Sequence, residues 1–395
     1  MKFKTGATLA LLAATTATSA YAGGIERTTQ SAMVLYGEGN RIELSFGHAS
    51  PSLTGTDLAL NDTGNVADDF NLPSLAVKMD INDQWSLAMI YDRPFGADVE
   101  YDYAGASQQQ PAFLAGTSAE AKVEALTLLA KYQATERFSV FGGLRFQKAS
   151  GDITLGGAAY ASRPVYADPQ DPPIGYTPNL NGYNVALNDG TGVGYVLGAA
   201  YEIPEIALRV ALTYNSSIEH DFDTVERNIP NVPANNGSQI PGPLTSTLKV
   251  KTPESWNLEF QSGIAADTLI MGSIRYVKHS EFLIDPTYGP SLVDLSDTTT
   301  YNLGIGRRFT PKLAASVMVG YEAEGDTLVS PLAPSTGKTS LSLGVSYKVT
   351  DTFEVSGGVS KIWVGDAIAA PGGIGVAPFE DNDATAFGVK FAYSF

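Results

Sequence analysis

The segment from Thr385 to Phe395 alternates strictly with a period of two residues. Large apolar or aromatic side chains occupy one set of positions, and small or polar side chains occupy the other. The first set is Phe387, Val389, Phe391, Tyr393 and Phe395, and the second is Gly388, Lys390, Ala392 and Ser394. This period predicts a β-strand whose two faces meet different surroundings. Because a bilayer covers a face of aromatic side chains well, the segment predicts a strand in a membrane.

The amino-terminal region has the features of a secretory signal peptide. Lys2 and Lys4 give a basic start, residues 7–14 are apolar, and residues 20–22 (Ala-Tyr-Ala) form a small-x-small cleavage site. We therefore expect residues 1–22 to be a signal peptide. No later segment approaches the roughly 18 apolar residues that a membrane-spanning helix needs. The exported chain is thus expected to be periplasmic, released, or a β-barrel.

The charge balance and the cysteine count exclude several classes of function. The chain has 42 acidic and 25 basic residues, a net charge of −17, and no cysteine. The acidic balance argues against a nucleic-acid partner, and the lack of cysteine excludes disulfides and thiolate chemistry. Acids cluster in three predicted loops, at Asp57, Asp62, Asp68 and Asp69, at Glu219, Asp221, Asp223 and Glu226, and at Glu380, Asp381 and Asp383. We interpret them as solvated loop surface, with divalent-cation binding at the lipopolysaccharide surface as the alternative. No cofactor and no resident metal site is predicted.

A short polar turn followed by a large apolar residue recurs six times along the chain. The copies begin at Asn82, Ala134, Ile203, Ala266, Thr310 and Thr350. Tight connections of this kind join antiparallel neighbours. Longer connections alternate with them, near residues 51–69, 105–119, 155–190, 223–246, 286–297, 326–337 and 367–383. Short turns on one side and long loops on the other predict an outer-membrane barrel whose short turns are periplasmic.

The alternation predicts about fourteen strands within residues 41–395. Tyrosine and tryptophan fall near the strand ends, as in an interfacial girdle. Residues 23–40 show no strand pattern, and we expect them to form a plug, or hatch, inside the lumen. The predicted fold class is therefore all-β, a transmembrane antiparallel β-barrel with a short amino-terminal plug.

The inward face of the predicted strands is net basic although the whole chain is acidic. Arg145 and Arg275 are the strongest ligand-binding candidates, because each lies in mid-strand beside inward neighbours such as Phe141 and Met271. Basic groups in a confined lumen favour an anionic solute. The alternative is that they pair with lumen acids and with carbonyl groups of the plug, and simply fill a polar interior.

The third predicted strand contains the sequence Tyr91-Asp-Arg93-Pro94-Phe95-Gly96. Proline removes a hydrogen bond from a β-ladder, and a glycine two residues later is typical of a bend. Since a barrel has no edge strand, we expect the strand to be distorted here. Either Pro94 lies above the bilayer, where irregularity costs little, or the kink opens a gap in the wall.

Several segments together resemble the FadL-type outer-membrane transporters of long-chain fatty acids and other hydrophobic compounds. They are Ile81-Asn-Asp-Gln-Trp85 through the kink at 93–96, Thr252-Pro-Glu-Ser-Trp256, Tyr301-Asn-Leu-Gly-Ile305, Gly344-Val-Ser-Tyr347 and Gly358-Val-Ser360. The resemblance implies that an amphipathic ligand is captured among the extracellular loops and passed to a lumen site. The resemblance also implies that the hatch then moves and that the ligand leaves sideways through a gap in the wall at the kink. This route suits a hydrophobic molecule, because the molecule avoids a water-filled pore.

The plug differs from the hatch of that family, which is usually longer and carries an Asn-Pro-Ala motif. Residues 23–40 lack the motif, and their notable side chains are Arg27, Gln30, Met33 and Tyr36. For the family's basic residues that hold a carboxylate, the positions that correspond best are Arg145 and Lys148.

Two other classes of function stay open. A general or anion-selective porin would conduct ions through the basic lumen. A lipase or protease active at the barrel rim is a remote alternative, since no readable spacing pairs His48, His220 or His279 with a serine and an orienting acid. We therefore expect a monomeric transporter, not an enzyme, in the bacterial outer membrane, surrounded by lipid and lipopolysaccharide. Barrel-assembly machinery would recognise the strand that ends at Phe395, and the cargo would be hydrophobic molecules, chiefly fatty acids.

Overall fold

The computed structural model describes residues 25–103, 112–167, 172–234, 236–293 and 295–395, so the predicted signal peptide lies outside the described residues. It is a closed antiparallel barrel of fourteen strands. In chain order these are β1 (Arg41–Ser52), β2 (Phe70–Asp80), β3 (Trp85–Glu100), β4 (Ser118–Gln133), β5 (Phe138–Leu155), β6 (Tyr183–Ile203), β7 (Leu208–Asn215 and Ile218–Arg227), β8 (Leu244–Thr252 and Ser255–Ala265), β9 (Thr268–Val277), β10 (Thr298–Arg308), β11 (Leu313–Glu322), β12 (Thr336–Lys348), β13 (Phe353–Gly365) and β14 (Asp383–Ser394). The all-β barrel prediction is confirmed.

Each strand pairs with its neighbours in sequence, and β1 pairs with β14 to close the ring. The register between these two strands runs from Arg41 opposite Ser394 to Ser52 opposite Asp383. Closure removes the sheet edges, so backbone polar groups find partners within the wall, as a bilayer requires. In the described part of the chain, no helix is long and apolar enough to cross a membrane.

Side chains at the short turns explain why the turns recur with similar chemistry. The Asn82 side-chain oxygen accepts a hydrogen bond from the Trp85 backbone N–H at 2.9 Å. The Thr310 hydroxyl oxygen accepts one from the Leu313 N–H at 2.9 Å. Short polar side chains favour turns because they satisfy backbone donors locally. These turns join consecutive strands at the rim opposite the long loops.

The longer connections comprise residues 53–69, 101–117, 156–182, 228–243, 278–297, 323–335 and 366–382. The predicted third loop, 155–190, is too long at its carboxyl end, because β6 begins at Tyr183. Tyr183 and Val185 are completely buried. Their contacts with the core under the loops extend the strand beyond what its polar sequence suggests.

The acidic group at residues 219–226 lies within β7 and not in a loop. Asp221 and Asp223 are exposed on the outer face, whereas Glu226 is buried and accepts a hydrogen bond from the Tyr183 hydroxyl at 2.7 Å. Glu219, Asp221 and Asp223 share the outer face, where Lys249 pairs with the first two, and Glu226 alone points inward, so the four acids do not form one cluster. Across the described residues, no group of three or more histidine and acidic side chains is arranged to hold a metal ion.

The outer face of the barrel is an apolar belt. Large exposed apolar side chains from successive strands form it, including Leu44, Phe46, Leu87, Leu128, Leu144, Leu197, Leu212, Leu303, Val319, Leu343, Val359 and Phe387. Aromatic rings of neighbouring strands touch at both ends of the belt: Trp85 and Tyr132, beside the short turns, are 4.9 Å apart between ring centroids, and Tyr214 and Trp256, toward the long loops, are 4.7 Å apart. A bilayer covers such a belt and its aromatic girdle.

Candidate functional site: a wall gap, its plug and the lumen cavities

The strands β2 and β3 separate in the half of the barrel that faces the long loops. Their pairing stops where Leu75 lies opposite Tyr91, although β2 continues to pair with β1 as far as its first residue. On its other side, β3 shifts its register against β4 at residues 92–95. The wall therefore has a gap, bordered by residues 70–74 of β2 and residues 92–97 of β3.

Proline occurs at both borders of this gap, at Pro73 and at Pro94. Proline has no backbone N–H, so each border exposes one unpaired hydrogen-bond donor fewer than it otherwise would. Outside the gap, the Tyr91 hydroxyl and the Arg93 guanidinium both donate to a Glu124 carboxylate oxygen at 3.0 Å. This exposed charged group lies at the upper boundary of the apolar belt. The strand β3 thus has the distortion that Pro94 predicts. The distortion is a loss of hydrogen-bonded pairing between β2 and β3 beyond Tyr91.

Residues 25–28 of the plug lie in the gap and pair with the free edge of β3. The Gly96 N–H donates to the Ile25 carbonyl at 2.9 Å, and the Arg27 N–H donates to the Pro94 carbonyl at 2.8 Å. The segment therefore acts as a short added strand, the same physical solution that extended peptides use at an exposed sheet edge. Backbone groups that the gap would leave unpaired gain partners in this way.

Side chains of this segment contact both borders of the gap. The Arg27 guanidinium lies 3.5 Å from the centroid of the Phe70 ring and 3.3 Å from the Asp98 carboxylate. The Thr28 hydroxyl donates to the Asp92 carboxylate at 2.8 Å. The predicted hatch residue Arg27 thus lies across the opening, between the strand on one side and the strand on the other.

Glu26 connects the gap to the opposite wall. Its backbone is the bridge partner of Phe95, and its carboxylate accepts hydrogen bonds from two nitrogens of Arg275, one of them at 2.8 Å. The Arg275 guanidinium also donates to the Thr29 carbonyl at 3.0 Å and to Asn257 at 2.5 Å. The two charged side chains are 9% and 4% exposed. Because breaking a buried pair leaves an uncompensated charge, Arg275 strongly anchors the plug.

Arg145, the other ligand candidate, is also held by protein groups. Its guanidinium donates to the Thr127 hydroxyl at 2.8 Å and to the Asn215 side-chain oxygen at 2.9 Å. Arg145 and Arg275 are 5% and 3% exposed. Both guanidinium groups therefore bind other protein groups inside the barrel. This arrangement corresponds to the alternative given above, in which the basic residues pair within the protein and fill a polar interior.

Lys148 lies on the outer face of β5 and not in the lumen. Its ammonium group is 2.9 Å from the Asp189 carboxylate, and both side chains are more than half exposed. The prediction that Lys148 reaches a lumen ligand is wrong. The reason is the two-residue period itself, since Lys148 shares the outward parity of Leu144 and Phe146.

The remaining predicted residues meet inside the barrel. Phe141 packs edge-on against Tyr36 of the plug at 6.1 Å between centroids, and the Tyr36 hydroxyl is 3.0 Å from that of Ser139. Met271 and Met33 both line a small cavity of about 50 Å³ beside Arg275. Together with Gln30, whose side-chain oxygen accepts from Arg275 at 3.1 Å, these contacts fix residues 30–36 against the wall.

An apolar cavity of about 70 Å³ lies directly behind the plug segment. Ile25 and Ala97 form its side toward the gap, and Phe222, Val250 and Phe282 are among the residues that enclose it. In this cavity's wall, within the described residues, one buried side-chain polar atom lacks a hydrogen-bond partner, the Nε2 of His220. His220 lies on β7, two residues before Phe222. Its shared parity with Phe222 was the signal that it points inward.

A larger cavity of about 480 Å³ lies among the long loops above the apolar one. The two cavities share Val293, Leu295 and Ala333 as wall residues. Another cavity, of about 260 Å³, lies below the plug and is lined by Ser74 and Asp92 at the gap and by residues 351–354 at the short turns. The cavities therefore mark a path from the loops to the gap, and the plug lies between the upper and lower parts.

The first long loop is held by a buried carboxylate, Asp57. Its oxygens accept hydrogen bonds from the backbone N–H groups of Ala59 and Asn61 at 2.8 and 3.0 Å and from that of Phe113 at 3.0 Å. Burial alone would raise the pKa of Asp57, but these donors outweigh burial and lower the pKa. This acid is therefore a structural part of the loop.

A closed fourteen-stranded barrel with an apolar belt, an internal plug and a gap in its wall defines an outer-membrane transport protein. The family described as outer membrane protein transport protein (OMPP1/FadL/TodX) matches residues 12–395. The chain belongs to this family of outer-membrane transporters for hydrophobic compounds, as the resemblance at the kink predicted. No curated protein sequence matches the chain significantly.

Solved structures share the fold at low sequence identity. A Pseudomonas aeruginosa FadL homologue is 15% identical with a TM-score of 0.73, over 98% of this chain and 99% of that one. The Pseudomonas putida toluene transporter TodX is 13% identical with a TM-score of 0.64, over 95% and 98%. The Ralstonia pickettii toluene transporter TbuX is 15% identical with a TM-score of 0.59, over 91% and 90%. These similarities extend over nearly the whole barrel.

Proposed function

We propose that the protein carries uncharged hydrophobic small molecules across the outer membrane, by binding them in the apolar cavity and releasing them sideways through the wall gap. One observation carries this proposal. The apolar cavity abuts Ile25, and Ile25 belongs to the plug segment that pairs with the kinked strand at Gly96. A molecule in that cavity lies against this segment and against Ala97 at the border of the gap.

Entry from outside follows the two connected upper cavities. A hydrophobic molecule gains free energy when it leaves water for an apolar wall, at roughly 25 cal/mol per Å² of apolar surface buried. The passage from the outer cavity to the apolar one keeps it against apolar residues, because Val293, Leu295 and Ala333 line both. Exit through the gap places it at the boundary of the apolar belt, so it never crosses a polar lumen.

The charge of the cavity wall favours neutral cargo. Among the described residues that line it, Glu120 is the one with an ionised side chain, and that side chain is exposed on the outer face beside Lys122. Arg145 and Arg275 bind protein partners, so neither offers a free cation to a carboxylate. Solved relatives named as toluene transporters share the fold, and an aromatic hydrocarbon is a neutral ligand of this kind.

Long-chain fatty acids are the second candidate cargo. The observation that favours them is that the outer and apolar cavities share three wall residues, so an extended acyl chain that occupied both would have its carboxylate near the loops. The two candidate ligands differ in charge. A fatty acid has a carboxylate that would have to stay near the loops, whereas a neutral aromatic ring would occupy the apolar cavity alone.

The plug is proposed as the gate of this route. Residues 25–28 must leave the edge of β3 before cargo can pass, and the contacts of Glu26 and Arg27 hold them there. Binding in the apolar cavity would press on Ile25 and weaken the pairing with Gly96. The gate therefore responds to the molecule that it admits.

Uptake by a transporter-null outer-membrane strain tests the proposal. We expect the protein to accelerate entry of labelled toluene more than entry of labelled oleate, with little steady ion current in planar bilayers. Faster entry of oleate with no effect on toluene would favour the fatty-acid alternative. Large steady currents with no uptake of either compound would contradict lateral transport and indicate a porin.

A further inference from the structure

Three polar side chains meet on the outer wall of the barrel, two of them on β1 and one on β2 at the border of the gap. The Nε2 atom of His48 lies 3.1 Å from the Ser50 hydroxyl oxygen, and its Nδ1 atom lies 3.0 Å from the Asn71 side-chain oxygen. His48 and Ser50 are two residues apart on β1, so they share its outer face. Asn71 lies directly opposite His48 on β2.

This grouping has the three parts of a nucleophilic hydrolase site. Serine needs an adjacent base to become a nucleophile, and the base needs a third group that fixes its tautomer and orientation. With its proton on Nδ1, the His48 ring donates to Asn71, and Nε2 accepts the hydrogen of the Ser50 hydroxyl. An amide oxygen can serve as the orienting group, as in other histidine-dependent hydrolases.

Two further contacts support the base. The Phe387 ring lies 5.1 Å from the His48 ring between centroids, which restricts how the imidazole can rotate. The Asp69 carboxylate lies 3.4 Å from the same nitrogen that faces Ser50. When that nitrogen takes the serine proton, the carboxylate is placed to stabilise the imidazolium.

The position of the grouping points to its substrate. His48 and Ser50 continue the outward row of Leu44 and Phe46, which are 54% and 44% exposed in the apolar belt. Above them, the exposed Asp69 and Ser52 mark the start of the polar rim. The site therefore lies where a bilayer changes from acyl chains to headgroups, and the ester bonds of glycerolipids lie at this depth.

Donors for a developing oxyanion are available on the neighbouring strands. Thr385 of β14 lies opposite Ser50, and Lys361 of β13 lies opposite Thr385. Both are on the outer face, and the Lys361 ammonium is held by Asp383 at 2.5 Å. The Thr385 hydroxyl, on the strand next to Ser50, is the donor placed to stabilise the negative charge of a tetrahedral intermediate, and Lys361 lies one strand further away.

We propose that His48, Ser50 and Asn71 form an esterase site that hydrolyses acyl esters of lipids in the outer leaflet. The Ser50 oxygen attacks the ester carbonyl while His48 takes its proton and passes it to the departing alcohol. Water then attacks the acyl-serine, with His48 again as base, and releases a carboxylic acid while Ser50 regains its proton. His48 and Ser50 lie on the outer face of β1 and line none of the cavities described above, so Ser50→Ala separates this activity from transport, whereas Asn71 lies on β2 at the border of the gap.

Hydrolysis of a fluorogenic diacyl phospholipid by the purified full-length protein in mixed micelles tests this site. We expect Ser50→Ala and His48→Gln each to lower the rate at least about 100-fold, and Asn71→Leu about 10-fold. Ser52→Ala is the matched control, since Ser52 is the next outward residue on the same strand and lies outside the grouping. It should keep the wild-type rate. Equal rates in the Ser50 and Ser52 variants would overturn the proposal.

A measurement on the wild-type protein avoids any question of variant folding. A fluorophosphonate probe, which reacts with activated serines, should modify Ser50 and should not modify the His48→Gln variant. Toluene uptake by the Ser50→Ala variant should stay within about twofold of wild type. Absence of probe labelling in the wild-type protein would overturn the esterase site, and the transport proposal would be unaffected.

Discussion

The ion pair between Glu26 and Arg275 offers the sharpest test of the plug. Glu26→Gln removes one negative charge from a pair whose members are 9% and 4% exposed, while the shape of the side chain is kept. A hydrogen bond to a charged group contributes about 1.5–3 kcal/mol, and removing one partner of a buried pair costs about 3–5 kcal/mol. Glutamine can still accept a hydrogen bond from Arg275, so we expect a loss of about 3 kcal/mol.

This loss acts on the equilibrium between docked and released plug. Because every 1.4 kcal/mol is a tenfold change, about 3 kcal/mol raises the released fraction about 100-fold, as long as the plug stays mostly docked. Single-channel recording in planar bilayers should show brief openings about 100 times as often as in wild type. In cells, sensitivity to bulky hydrophilic antibiotics should rise in parallel.

A matched control separates plug release from a general effect of lost charge. Asp189→Asn breaks another carboxylate ion pair, the one with Lys148, on the exposed outer face. Exposed pairs contribute about 0–1 kcal/mol, so this variant should behave as wild type. The double variant Glu26→Gln with Arg275→Gln should leak less than the single variant, because it removes the uncompensated buried cation. Wild-type opening frequency in Glu26→Gln would refute the anchoring role.

Four further outcomes follow from the same contacts. Ala119→Phe should fill the apolar cavity and lower toluene uptake at least about fivefold, whereas Ala130→Phe on the outward-facing parity of the same strand should not; uptake rates decide this. His220→Leu should weaken binding of p-cresol about 5- to 10-fold and leave p-xylene within about twofold, since only the phenol can hydrogen-bond to Nε2, and calorimetry of the two isosteric probes checks it. Tyr36→Leu should cost about 1–2 kcal/mol through lost ring packing and a lost hydrogen bond, so it should open the plug less often than Glu26→Gln in the same recordings. The pKa of Asp57 is lower in the folded protein than its unfolded value of about 3.9. Its contribution to loop stability is therefore present above the unfolded pKa and is lost as the pH falls through the folded pKa, so protease nicking of residues 53–69 in the wild type should rise in that acid range. Asp57→Asn lacks the carboxylate at any pH and should be nicked readily at neutral pH.

The features that could be predicted from sequence are those with a local physical cause. Two-residue alternation identified the outward faces and hence the barrel, and Pro94 identified the distorted strand. The error at Lys148 came from resemblance and not from pattern, since its parity with Leu144 places it outside. The start of β6 at Tyr183 was missed because the segment is polar, although its residues pair with extended ends of β5 and β7 beside the long loops.

The parts that could not be predicted depend on contacts between distant residues. Glu26 and Arg275 are 249 positions apart, and no local period connects them. The occupation of the gap by residues 25–28 depends on the free edge of β3, which exists only after the barrel closes. The grouping at His48 needed the register that brings Asn71 of β2 beside it.

A reversible cross-link between plug and wall tests the central claim most directly, namely that cargo leaves through the gap only when residues 25–28 withdraw. Glu26 and Phe95 are antiparallel bridge partners. Such partners have Cα atoms about 4.5–5.5 Å apart, which a disulfide can span. The chain has no other cysteine to interfere. In the double cysteine variant, oxidation should lower toluene uptake at least about tenfold, and reductant should restore it to the level of the single cysteine variants or above. Equal uptake in the oxidised and reduced states would contradict exit through the gap.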